Sequence, residues 1–281
     1  MRRTALFGPL VIASALGCAS ASAQDSQPSL QQRIDAAHEA EERGGELFAR
    51  DRAISLAVAA WNGEARGTPG ESLIALSRAP DATGRVEVSF YGDSGGPERL
   101  ARYAVDPEAR SATLVTRQNL DAPAEPDPGA GALLAAYETA LAAEGADHAA
   151  TCAGLQRRTI VLPARTDGTV SVYRLTTAED PASVQLGRSD RYDIAADGSL
   201  KGHEVLVAGC ETIAWDAADD ELAMRAHFTT HRGGPQPNEI HAYAGHFMPF
   251  PLGVVTGNLV WPVLGGSIAD PVEADPEMIA Q

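Results

Sequence analysis

Positive charge is scarce in this chain. Against 38 acidic residues stand 22 basic ones, and only one of these, Lys201, is lysine. The formal net charge is -16. Such a surface repels nucleic acid and anionic membranes, so neither is expected as a partner. Long apolar runs are equally scarce. Beyond the N-terminus no segment approaches the roughly 20 apolar residues that a membrane-spanning helix needs, so no membrane span is expected. No P-loop string and no dinucleotide fingerprint occurs, and no nucleotide or redox cofactor is expected. His203-Glu204 opens like the zinc-protease motif H-E-x-x-H, but Val207 stands where the second histidine belongs. There is no internal repeat.

Cysteine is limited to three residues, Cys18, Cys152 and Cys210. The first belongs to a targeting segment. Arg2 and Arg3 precede an apolar run from Ala5 to Leu16, and small residues lead to Ala21-Ser22-Ala23. This is the pattern of a secretory signal peptide cleaved after Ala23, which predicts a periplasmic or secreted protein. A second reading uses Ala15-Leu16-Gly17-Cys18, which is similar to a bacterial lipobox and would make Cys18 the lipid anchor of an outer-membrane lipoprotein. Ala15 departs from the usual leucine. In an exported chain the remaining pair, Cys152 and Cys210, is expected to form a disulfide.

What remains after residue 23 reads as one α+β domain over 24–281, with a helical part at 24–66, a mixed part at 67–150 and a β-rich part at 151–281. The helical part reads as a pair, Leu30 onward and Glu46 onward, broken at Gly44-Gly45. Leu47, Ile54, Val58 and Trp61 recur at helical spacing in the second member. A further helix is expected over Gly131 to Glu144. Alternating segments follow, and Asp167-Gly168 and Asp197-Gly198 mark two hairpins. No βαβ rhythm appears, so the sheet is expected to be mainly antiparallel.

Two places invite a chemical reading. Residues 92–97, Gly-Asp-Ser-Gly-Gly-Pro, repeat the string around the nucleophile of trypsin-like proteases. Only His38 precedes Ser94, inside a helical stretch, and a triad needs geometry rather than a string. Turn chemistry accounts for these residues. The second place is the stretch from His227 to His246, which holds four of the seven histidines. Read as a β-hairpin with its turn at Arg232 to Asn238, it puts His227, Thr229, His231, Glu239, His241 and Tyr243 on one face. His246 falls on the other. His227, His231, Glu239 and His241 are then candidate zinc ligands or a proton-transfer group. The competing reading is a polar, solvated sheet face. Gly233 to Pro237 is a candidate recognition loop.

Residues from about 155 to 270 resemble a group of uncharacterised exported proteins of Gram-negative bacteria. The resemblance is carried by Gly187-Arg188 with Arg191-Tyr192, the Asp197-Gly198 turn, Cys210, the histidine-bearing strand, Pro237-x-Glu239-Ile240-His241, Val255-Thr256, Trp261 and Ile268. It implies an exported α+β protein and no particular activity. The leading expectation is therefore a non-catalytic envelope or secreted module. The alternative is a metal-dependent hydrolase built on the four candidate ligands.

Overall fold

The computed structural model describes residues 28–64, 73–92, 98–117, 128–145, 152, 155–178, 180–218 and 225–274. The segment read as a signal peptide, with Cys18, and also Ser94 and His148 lie outside the described residues. One helix, α1 (Leu30–Glu64), spans 35 residues, about 50 Å at 1.5 Å per residue. Its start is fixed by a reciprocal cap. The Gln32 N–H donates to Ser29 Oγ (3.2 Å), and the Ser29 N–H donates to Gln32 Oε1 (2.8 Å). The break expected at Gly44-Gly45 does not occur. A Cβ on Gly44 would lie 2.5 Å from Ala242 Cβ and 2.6 Å from the Glu239 carbonyl oxygen. The glycine is therefore a point of close approach between two helices, and packing there offsets its poor helix propensity.

Two antiparallel sheets follow, each preceded by a helix. The first runs in the order β1 (Leu73–Ser77), β2 (Val86–Gly92), β3 (Glu98–Asp106), β4 (Ser111–Arg117). After α2 (Pro128–Glu144), β5 (Gln156–Val161), β6 (Val170–Thr177), β8 (Ser189–Ile194) and β9 (Leu200–Val207) form the second. A small ribbon of β7 (Ser183–Leu186) and β10 (Glu211–Ala214) lies beside it. The two Asp-Gly turns are where expected. Gly168 and Gly198 take φ values of 78° and 83°, and Asp167 and Asp197 accept from the N–H groups of Thr169 and Ser199. The Thr169 N–H and then Lys201 hold the Asp167 carboxyl down at about 2. The disulfide joins Cys152, just before β5, to Cys210, just after β9, with a Cα–Cα distance of 5.7 Å. Closing a loop of 58 residues stabilises the fold by about 4 kcal/mol on the chain-entropy model.

The last sheet overturns an expectation. β11 (His227–Thr230), β12 (Leu252–Thr256), β13 (Leu259–Leu264) and β14 (Ser267–Ile268) are neighbours, with β15 (Val272–Glu273) also on β13. β11 pairs with β12 in parallel, and between them runs α3 (Glu239–Gly245). The hairpin expected over His227 to His246 does not form; a β-α-β crossover does, in a chain where no such unit was foreseen. A parallel pair needs a long connection, and residues 231–251 supply it. The helix starts at Asn238. Its Oδ1 accepts from the Ile240 N–H (3.1 Å), and its own N–H donates to His241 Nδ1 (3.2 Å).

The second sheet is the central layer. On one face Val161, Val170, Val172, Tyr192 and Ile194 pack against Leu134 and Ala140 of α2. On the other, Ile160, Tyr173, Leu175 and Leu206 pack with α3, the first half of α1 and Leu252, Val254, Trp261 and Val263 of the last sheet. The second half of α1 covers the first sheet through Ala53, Ile54 and Ala57. The structure is thus α+β, mainly antiparallel, with one long N-terminal helix. No helix among the described residues is long and apolar enough to cross a membrane.

Candidate functional site

The four side chains read as metal ligands separate into three environments. His227 leaves β11 toward β10, where its Nε2 lies 2.7 Å from Glu211 Oε1, while Thr229 Oγ1 donates to Glu211 Oε2 (2.7 Å). Glu239 opens α3 and is buried against the central sheet, accepting from Tyr173 Oη (3.1 Å) and pairing with Arg191 Nη1 (2.5 Å). Burial first, and then the Glu239 charge, push the Tyr173 hydroxyl well above its ordinary range. The Arg191 guanidinium is raised too: desolvation opposes this, but Glu239 and its neighbours outweigh it. Only His231 and His241 approach each other, with ring centroids 4.7 Å apart in a T-shaped arrangement. The one-face arrangement of His227, His231, Glu239 and His241 is therefore replaced. α3 puts Glu239 and His241 on a helix two residues apart, about 200° around its axis.

His231 and His241 line a cleft of about 620 Å³ with Glu211, Thr229, Val205 and Phe228. His241 is fully enclosed. Burial, and secondarily the neighbouring His231, bring its pKa down from 6.5 to about 3. Burial also lowers His231. Both rings are neutral at pH 7, and the His241 Nδ1 lone pair is used by the Asn238 N–H. Among the described residues no three His, Cys, Asp or Glu side chains gather into a metal-holding group. His246 is structural, stacked on Phe48 at 4.4 Å. The proposed recognition loop is tied down as well: Arg33 Nε donates to the Pro235 carbonyl (2.8 Å), and Thr256 Oγ1 does so at 3.0 Å.

Groups that the sequence did not single out are more concentrated than the histidines. On the α2 side of the central sheet, Glu144 pairs with Arg157 and with Arg174 Nε (2.8 Å), and Arg157 Nη2 reaches Asp190 Oδ2 (2.5 Å). His203 Nε2 lies 3.0 Å from the same Asp190, its ring stacked 4.4 Å from Tyr192. On the opposite side Asp51 of α1 accepts from Arg158 and from Tyr243 Oη (2.9 Å). Alternation along β5 explains why Arg157 and Arg158 serve opposite faces. The strand period was legible; the helices that bring Asp51 and Glu144 to it were not assigned to those faces by any local signal.

No family model, curated protein or solved structure matches this chain.

Proposed function

We propose that the mature chain is a non-catalytic module of the bacterial envelope or of the secreted fraction; its resemblance to exported Gram-negative proteins supports the export and says nothing of an activity. The observation that carries this reading is the separate engagement of the candidate ligands. His227 is tied to Glu211, Glu239 to Arg191 and Tyr173, and His241 to the cap of α3. Side chains held this way hold the fold together. The disulfide suits an oxidising compartment. A metal-dependent hydrolase is the second reading, favoured by one observation, the two neutral imidazoles facing each other at a cleft.

Metal analysis of mature protein purified without a nickel column separates the two. The module reading expects no stoichiometric transition metal and a melting temperature that ignores chelator. Stoichiometric zinc, lost together with stability on chelation, would replace it with the hydrolase. Fractionation with N-terminal sequencing tests the export route: a soluble product beginning at Gln24 is expected, whereas a membrane-bound product blocked at Cys18 would mean a lipoprotein.

A further inference from the structure

A cavity of about 690 Å³ lies at the seam between the first two sheets, where edge strands β1 and β5 face each other under α1 and α2. Its volume is that of an ordinary small-molecule site. One wall is apolar, made by Ile54, Val58, Leu73, Phe90 and Leu141. Arg157 and Arg174, on the α2 face of the central sheet, and Arg158, on the α1 face, also line the cavity. Among its described lining residues there is no carboxylate, in a chain of net charge -16.

The partners of these arginines stand behind them. Asp51 and Ser55 hold Arg158 through Nη1 alone, and its Nε and Nη2 make no hydrogen bond among the described residues. Glu144 and Asp190 hold Arg157 by its two terminal nitrogens, and its buried Nε has no partner among the described residues. The Arg158 side chain is 38% exposed and lines the cavity, so its two free donors are the ones open to a ligand. A second cavity of about 400 Å³ shares Ser55 and Arg158, but Asp51 and Asp180 also line it, so an anion's place is on the side of the first cavity.

We infer that this seam cavity binds a single-chain anionic amphiphile, with its carboxylate or phosphate head on Arg158 and its hydrocarbon tail along the apolar wall. The inference deepens the non-catalytic reading and rests on it. The Arg158 guanidinium supplies charge-assisted donors to an oxyanion, and the apolar wall contributes by burial of the tail.

Calorimetric titration of the mature protein with dodecanoate, dodecyl phosphate and dodecanol, each below its aggregation concentration, tests it. One anion per chain is expected to bind, with dodecanol weaker by about tenfold or more. The better of the two anions identifies the head group. Arg158→Gln is expected to weaken the anion by about tenfold and leave dodecanol unchanged. Ala59, exposed on α1 at the cavity wall, offers a variant that leaves the arginine cluster intact, and Ala59→Trp is expected to abolish binding with the melting temperature kept. Failure of both anions to bind, equal binding of dodecanol, or undiminished binding by Ala59→Trp overturns the inference. Recovery of the bound amphiphile with unchanged mass bears on the non-catalytic reading separately, so either can fail without the other.

Discussion

On the α2 face of the central sheet, Arg157, Arg174, Asp190 and Glu144 form one shared cluster. On the face covered by α1 and α3, Arg158 and Arg191 are held apart, each by its own helix carboxylate. The inventories are similar and the wiring differs. Glu144 serves two arginines at once. Arg191 is reached by three carboxylates, Glu239, Glu204 and Asp193. Removing Glu144 leaves the desolvated Arg174 with no carboxylate among the described residues and Arg157 with Asp190 alone, whereas Arg191, with two spare partners, keeps more compensation. The faces also differ in their path to water: Glu144 and Asp190 are almost completely enclosed, while Glu204 is 55% exposed.

The contrast is broken most severely by Glu144→Ala. With Arg174 left without its carboxylate and Arg157 held by Asp190 alone, urea unfolding is expected to show a loss of about 3–5 kcal/mol. Glu239→Ala on the other face should cost less, about 2 kcal/mol, since Arg191 retains Glu204 and Asp193. Equal costs for the two variants would mean that the spare carboxylates do not compensate. Acid sharpens the difference further, because His241 lies on the α3 side. Its folded pKa is about 3 against an ordinary 6.5. Below pH 6.5 the unfolded ring takes up a proton that the folded ring refuses. Stability is therefore full above about 6.5 and falls toward 3, by at most about 1.4 kcal/mol per pH unit from this group. His231 adds to the same slope. His241→Gln, whose amide oxygen can take over the acceptor role at the helix start, should flatten that acid limb in melting curves recorded from pH 7 to 4. Smallest is Tyr173→Phe: Glu239 keeps Arg191, so the loss should be about 1 kcal/mol, read from the same urea curves.

Where a turn carried its own chemistry, structure was legible. Asp167-Gly168 and Asp197-Gly198 fixed two hairpins because an aspartate that accepts from the residue after the glycine, and a glycine at positive φ, determine the turn without outside help. The stretch from His227 to His246 defeated the same logic. Ile240, Ala242 and Ala244 alternate with Glu239, His241 and Tyr243, which mimics a half-buried strand. In fact all seven residues of α3 are buried, so the helix shows no polar face to read. The signal that was present is the start: Pro237, then Asn238 as cap, then Glu239 in the first turn. Gly44 misled for the opposite reason, since a break in propensity was a site of helix contact.

Composition, cysteine number and local patterning were enough to establish the α+β class, the mainly antiparallel sheet, the Cys152–Cys210 bridge and the two Asp-Gly turns, because each depends on neighbours in the chain or on the compartment. The fate of the histidines and the placement of the arginines were decided only by the tertiary fold. Glu144 meets Arg157 and Arg174, and Glu239 meets Arg191, across separations that no local pattern encodes. Those pairings follow from which helix covers which face of the central sheet, and that is set by the burial of three separate apolar clusters at once.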